Sequence, residues 1–218
     1  MSTYLSLFRL SYKRSPVVAI IPILVGYIVL PIMGITTYRS FGPSRCVDTI
    51  SGAAHALIPI SAVLLGMVYL QMWIDNDGQE AIRACRRGKQ TCMSAMLLLS
   101  VCLLFLLFPM FCVAFFVVSF PVSELIKLYA EILFSLGSLY FISIFARSVA
   151  VGIIAVMTYI LFCIMFCGND SFADVCLIKT TSLATIKDVI NLYVPLIIVV
   201  LIAVIITHLY ERMFYRKY

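Results

Sequence analysis

Long apolar runs are the feature that most constrains this chain. A helix needs about twenty consecutive apolar residues to cross the hydrocarbon core of a bilayer. Six stretches meet that requirement, so the predicted fold class is all-α: a polytopic membrane protein with six transmembrane helices in one domain, residues 1–218. The predicted spans are roughly 16–36, 55–74, 93–118, 125–146, 148–167 and 191–210.

Composition argues against a water-soluble domain. Only 12% of the 218 residues are charged, whereas a typical soluble domain has about 25%. Hydrophobic residues make up 63% of the chain, so the lipid bilayer is its expected environment. The net charge of +6 does not indicate binding to nucleic acid, because no basic stripe is interleaved with aromatic residues.

The positions of Lys and Arg predict the orientation. Cytoplasmic segments of membrane proteins carry an excess of these residues. With both termini in the cytoplasm, eleven fall on the cytoplasmic side and five on the outer side. We therefore expect a multi-pass protein of the cell membrane with cytoplasmic termini. Arg147 interrupts the apolar run between the fourth and fifth spans and is expected in a tight turn at the membrane surface, because a charge at the bilayer centre is costly.

Two further segments are predicted to lie along the membrane surface. In residues 1–15, large apolar and aromatic side chains recur at helical spacing from Tyr4 to Tyr12, and basic residues occupy other faces. This pattern favours an amphipathic interfacial helix over a frayed tail. The outer segment 168–190 is too polar to span, and its apolar residues at helical spacing predict one or two short helices. A plain surface loop is the alternative there.

The segment 75–92 is densely charged, in contrast to the apolar runs on both sides. Its acidic residues come first and its basic residues follow, an order that complements the helix dipole. Asp77 and Glu80 stand at the spacing of an N-terminal cap. We predict a short cytoplasmic helix, with a solvated turn that only sets topology as the alternative. The acidic half does not help to set topology, so it indicates a docking surface.

This arrangement of spans and loops resembles the membrane subunit of a type-two ABC exporter. In that family the loop between spans two and three is a coupling helix, which often reads acidic residue, Gly, x-Glu-x-aliphatic and then a basic residue. The chain has DGQEAIRACRR at 77–87, with Cys85 and Arg86 where the family commonly has a proline. By this resemblance, the residues that couple to the ATPase are Asp77, Gly78, Glu80, Ile82, Arg83, Arg86 and Arg87.

The resemblance also implies partners. The chain would be a non-catalytic permease subunit, and ATP and Mg would be bound by separate ABC ATPase subunits. A second permease chain, identical or related, would complete the transport unit. Gly88 and Lys89 do not form a phosphate-binding loop, because Arg83 stands at the motif's first glycine and Gln90 where Ser or Thr is needed. We expect no cofactor and no metal in this chain; its substrate and the direction of transport stay open.

A candidate substrate route lies in the predicted fourth span. Glu124, Lys127 and Glu131 stand at positions i, i+3 and i+7, which places them on one helix face. An intramembrane carboxylate is rare and usually faces protein or a water-filled cavity. Two interpretations stay open: an ion pair that steadies the bundle, or the lining of the exit of a substrate route.

The sequence also bears on function classes other than the exporter. An intramembrane enzyme is disfavoured because the two histidines, His55 and His208, are predicted near opposite membrane faces and no paired acidic motif lies within a span. The substrate-binding subunit of a vitamin-uptake transporter would need a small-residue face on the first span, but Ala19 is followed four residues later by Ile23. An accessory or immunity membrane protein that does not transport stays an alternative.

The eight cysteines do not form the pattern of a disulfide framework. Most lie inside apolar runs, where Cys behaves as a small hydrophobic residue. Cys163 and Cys167 are four residues apart, but no nearby His completes a metal site. A disulfide among Cys46, Cys167 and Cys176 stays open.

Overall fold

The computed structural model describes residues 16–74, 92–169, 172, 175–179 and 183–215, and every regular element within them is helical. The predicted interfacial helix at 1–15 and residues 75–91 of the predicted coupling loop lie outside the described residues. The all-α fold class is therefore confirmed for the described chain. Its helices are α1 (Pro16–Leu24), α2 (Leu30–Phe41), α3 (Pro43–Ile74), α4 (Cys92–Val118), α5 (Val122–Ala146), α6 (Val149–Phe166), α7 (Ile186–Asp188) and α8 (Val194–Tyr215), with π turns at Val25–Val29 and Val189–Tyr193.

Five helical segments in the described chain are long and apolar enough to cross a membrane, so this is a multi-pass membrane protein. A shorter apolar helix, Met96–Pro109, lies within α4 at the position of the third predicted span. The count of six spans stays a prediction. The five segments are Ile20–Phe41, Pro43–Gln71, Val122–Ala146, Val149–Phe166 and Ile186–Glu211.

Helix α3 begins at Pro43, twelve residues ahead of the boundary at 55 that hydropathy predicts. Only Gly42 separates it from α2, and the φ angle of Gly42 is 85°, a conformation that residues with a side chain rarely adopt. Exposed polar residues such as Arg45 and Asp48 continue the helix beyond its apolar part. Hydropathy detects the part of a helix that lipid or protein covers, and it misses such polar ends.

The last span also begins early, at Ile186 instead of 191. Thr185 and Asp188 form a reciprocal capping box: the Thr185 hydroxyl accepts from the Asp188 N–H at 3.3 Å, and the Asp188 carboxylate accepts from the Thr185 N–H at 3.0 Å. This pair satisfies two backbone donors that a helix start leaves unpaired. The described residues before it, from 175 to 185, are irregular apart from turns.

Two π turns in the described chain each end shortly before a proline. The Leu30 N–H donates to the Val25 carbonyl just before Pro31, and the Val194 N–H donates to the Val189 carbonyl just before Pro195. Proline lacks an N–H, and its ring crowds the carbonyl of the preceding turn. The wider π turn accommodates that crowding while the helix continues.

Helix α5 lies at the centre of the bundle and packs against α3, α6 and α8. Arg147 ends α5 in a tight turn to α6 with a φ angle of 53°, at the position where the sequence predicts a turn. Close contacts with α5 depend on glycines. A Cβ at Gly66 of α3 would lie 2.8 Å from the Leu136 side chain, and one at Gly137 would lie 2.5 Å from the Val200 side chain of α8. Small residues of this kind let membrane helices approach closely.

We predict that Gly137→Ala lowers the thermal stability of the detergent-solubilised protein. The added methyl group overlaps Val200, and overpacking of this kind typically costs about 1–3 kcal/mol. Gly168→Ala is the matched control, because no described atom outside its own chain neighbours lies within 4 Å of the Cβ position there. Adding Val200→Ala should recover part of the loss. Equal melting temperatures for Gly137→Ala and Gly168→Ala would contradict the close packing of α5 on α8.

Candidate functional site: a buried charged cluster

The three charged residues predicted to share one face of α5 are buried together. Glu124, Lys127 and Glu131 are 0%, 1% and 1% exposed. Pro121 precedes the start of α5 at Val122, which puts Glu124 in the first helical turn and the other two along the same face. Fully buried charges are rare unless they are paired, so each of these side chains needs partners.

The central partner is His55, which α3 brings against α5. Its Nε2 atom lies 2.7 Å from Oε2 of Glu124, and its Nδ1 atom lies 2.5 Å from Oε2 of Glu131. A doubly protonated imidazolium donates a hydrogen bond on each side. In that state His55 and Lys127 carry two positive charges that balance the two carboxylates. The cluster then has no net charge, and its hydrogen bonds are of the strong, charge-assisted kind.

Glu124 is the most connected member of the cluster. Ser51, one helical turn before His55 on α3, donates from its hydroxyl to Oε2 of Glu124 at 2.6 Å. The Nζ atom of Lys127 lies 3.7 Å from the same oxygen. The second oxygen of Glu124 accepts a hydrogen bond from the backbone N–H of Ala184. One carboxylate thus joins α3, α5 and the irregular chain before α7.

That irregular chain, the described residues 175–179 and 183–185, is termed the cap segment here. Lys127 donates from Nζ to the carbonyl of Lys179 at 2.6 Å, and Ser123 donates to the carbonyl of Ala184 at 2.6 Å. The hydroxyl of Tyr159 on α6 donates to the carbonyl of Val175 at 2.8 Å. Backbone polar groups that protein covers need hydrogen-bond partners, and these side chains supply them. The cluster and Tyr159 therefore fix the cap segment on the bundle.

The cap segment also buries apolar side chains. Cys176 and Ile178 are 1% and 0% exposed. Burial raises the pKa of the Cys176 thiol, which lowers its reactivity as a thiolate. Cys46, Cys167 and Cys176 are all free thiols, so the disulfide that the sequence left open among them does not form.

One oxygen of the cluster, Oε1 of Glu131, is buried and has no hydrogen-bond partner among the described residues. An unsatisfied buried acceptor typically costs about 1–3 kcal/mol. Such atoms are uncommon in folded proteins, and they often mark a functional role. No group of three metal-binding side chains lies within the part of the chain that the structure describes, although Oε1 of Glu131 retains the capacity to accept one more donor.

The sequence predicts the residues of this site that lie on α5, but not the residues that lie on α3. Glu124, Lys127 and Glu131 lie together as their spacing predicts, but Ser51 and His55 were not assigned to the cluster. Their own spacing, four residues apart on one helix face, was the available signal. His208 lies on α8, where Glu211 one turn later accepts a hydrogen bond from Tyr140 at 2.8 Å.

The seven predicted ATPase-coupling residues, from Asp77 to Arg87, lie outside the described residues. The structure does describe both helices that lead to them. Helix α3 ends at Ile74 and α4 begins at Cys92, so the charged segment directly joins these two long helices.

Comparisons with protein-family models, with curated proteins and with solved structures find no match to this chain.

We predict that Glu124→Gln increases the alkylation rate of Cys176 by roughly tenfold or more, which corresponds to about 1.4 kcal/mol of weakened closure. The neutral amide cannot give charge-assisted acceptors to His55 and Ala184 together, so the cap segment should open more often. The measurement is maleimide labelling of the detergent-solubilised protein, followed by peptide mass mapping.

Asp48→Asn is the matched control, because Asp48 is an exposed carboxylate of α3 outside the cluster. It should leave labelling of Cys176 unchanged, and Cys176→Ser should abolish the mapped signal. An unchanged rate in a folded Glu124→Gln protein would show that the cluster does not hold the cap segment.

Proposed function

We propose that this chain is the permease subunit of an ATP-driven ABC exporter, which works with separate ATPase subunits and a second permease chain. The observation that carries the proposal is the course of α3. This helix of 32 residues, Pro43–Ile74, contacts the buried cluster through Ser51 and His55 and continues without interruption to the charged segment that follows Ile74. At about 1.5 Å per residue its length is roughly 48 Å, enough to connect the two faces of a membrane.

In this proposal residues 75–89, within the charged segment 75–92, form a cytoplasmic coupling helix, and the chain has six spans with both termini in the cytoplasm. Gly78 allows close approach to the ATPase, while Asp77, Glu80 and Arg83 make polar contacts in its groove. Exposed ion pairs contribute only about 0–1 kcal/mol each, so the shape of the segment matters more than any one charge.

Helix α3 would transmit the movement of the ATPase to the cluster. A displacement applied beyond Ile74 tilts a continuous helix as a rigid body instead of being absorbed locally. Pro59, one turn beyond His55, removes one backbone hydrogen bond, but α3 continues through it as one helix. Ser51 and His55 lie on the far side of that proline, where they contact Glu124 and Glu131.

The cap segment is the proposed gate at the exit of the substrate route. In the described conformation Glu124, Lys127 and Glu131 are covered, which fits a closed exit. Withdrawal of Ser51 and His55 would leave the Glu124 carboxylate buried with fewer donors, which favours its exposure to water and the release of Ala184. The cap segment would then open and expose the three charged side chains to the route. In the alternative, the same cluster only steadies the bundle.

We predict that Gly78→Trp combined with Glu80→Lys abolishes transport and co-purification of the ATPase. The indole blocks close approach, and the reversed charge opposes docking. The measurement is export and ATPase association in membranes, with insertion verified. Gly168→Trp combined with Asp48→Lys is the control, since both of its positions are exposed and outside the charged segment. Normal transport and association in the test variant would leave 75–89 as a topological turn.

We predict that Glu131→Gln lowers export and substrate-stimulated ATP hydrolysis by roughly tenfold, about 1.4 kcal/mol of lost coupling. It removes the carboxylate charge that balances His55 in the imidazolium state, and it leaves the two helices less firmly linked. Glu211→Gln provides the comparison, because this carboxylate binds Tyr140 on another part of α5 and should leave the coupling intact. If Glu131→Gln is expressed normally and both activities are unchanged, the cluster only steadies the bundle.

A further inference from the structure

An apolar groove of about 420 Å³ lies between α2 and α4, and residues of α3 also line it. Its size falls within the range of roughly 300–1,000 Å³ that small-molecule sites occupy. The wall on α2 and the preceding π turn runs in one stripe from Tyr27 to Arg39, and the wall on α4 runs from Pro109 to Val117. Ile35 and Val113 are 55% and 64% exposed, so the groove opens to the outside of the bundle.

The groove has a floor and one closed end. Gly34 lies directly over Ile50 of α3, so close that a Cβ at Gly34 would be 2.8 Å from the Ile50 side chain. Cys46 continues this floor. At the far end the hydroxyl of Tyr27 donates to the carbonyl of Leu106 on α4 and joins the two walls. An elongated apolar ligand could therefore enter from the side and lie along α3.

The length of the groove matches one leaflet of a bilayer. From Tyr27 to Arg39 the helix rises by about 18 Å at ~1.5 Å per residue. Half of a hydrocarbon core of ~30 Å is about 15 Å. Tyr38 and Arg39 lie near the end of α2, the level where aromatic rings and basic side chains meet the head groups of lipids.

Charge at the open end favours an anion. Arg39 is the one charged residue among those that line the groove in the described chain. The described residues 36–50 carry two arginines and one aspartate, which gives a net charge of +1. The second arginine, Arg45, lies over the ring of Phe41 at 5.7 Å from its centroid. Arg39 thus places a positive charge beside an apolar surface that is about as long as an acyl chain.

We propose that this groove binds one acyl chain of a membrane phospholipid, whose head-group phosphate contacts Arg39. The apolar walls hold the chain, and the guanidinium recognises the phosphate oxygens, a pairing that arginine geometry suits. The proposal does not depend on the exporter function, because binding requires neither an ATPase nor transport.

The test uses the full-length protein in nanodiscs that contain a phosphatidylglycerol with a diazirine in its acyl chain. After illumination, peptide mass mapping should place adducts within 27–39 and 109–117. Ile35→Trp should lower these adducts by roughly tenfold. Ile32→Trp is the matched control: Ile32 lies on the same helix and is 56% exposed, but it does not line the groove. Val113→Trp fills the groove from the opposite wall and should repeat the effect of Ile35→Trp.

A second comparison tests the phosphate contact. Arg39→Gln should reduce labelling by the phosphatidylglycerol probe, whereas Arg45→Gln should not. A diacylglycerol probe with the same diazirine chain lacks the phosphate and should label the wild-type protein weakly. Arg39→Gln should not change labelling by this probe. Equal labelling by the two probes would overturn the role of Arg39.

Two further outcomes would overturn the groove as a lipid site. One is labelling that maps elsewhere or that persists in both tryptophan variants. The other is the absence of adducts in the groove, together with dissociation of a dimer in the tryptophan variants that fill it. Size-exclusion chromatography with light scattering measures that dissociation. That result would assign the groove to contact between permease chains.

Discussion

The bridge from His55 to the carboxylates of Glu124 and Glu131 is the interaction on which the rest of the arrangement depends. Removing one partner of a buried ion pair leaves an uncompensated charge and typically costs about 3–5 kcal/mol. Because His55 lies on α3 and the carboxylates on α5, the bridge also fixes the register of the two helices. A slide of one residue along α5 would carry the imidazole away from both oxygens. The cap segment is held by one of these carboxylates, Glu124, together with the side chains of Lys127, Ser123 and Tyr159.

Apolar contact alone could not fix that register. Lipid chains are as apolar as leucine, so burying leucine between two helices gives little preference for one alignment over another. Steric fit and polar bonds supply the preference instead. Gly66 of α3 admits side chains of α5, and Gly137 of α5 admits Val200 of α8, while His55 and Tyr140 bond to carboxylates of other helices.

The sequence predicts the parts of this structure that depend on local chemistry. Apolar runs locate the membrane helices, and the spacing of Glu124, Lys127 and Glu131 correctly places them on one face. Helix starts were missed where polar residues continue a helix, as before residue 55. The partners of Glu124 were missed because they are 69 residues away in His55 and 60 away in Ala184. The donor of Ala184 is a backbone amide, which every residue except proline has, so the sequence carries no pattern that identifies it. Only the folded chain shows that this amide contacts Glu124. The coupling role of 75–89 stays a prediction.

The one-residue connection between α2 and α3 links lipid binding in the groove to movement of α3. With only Gly42 as connection, and with Gly34 in contact with Ile50, the two helices form a tight hairpin. If α3 tilts during transport, α2 must move with it and the width of the groove beside α4 changes. A phospholipid in that groove would then have different affinities for the two conformations. By thermodynamic reciprocity, the composition of the bilayer would shift their populations, so the membrane itself would act as an allosteric effector.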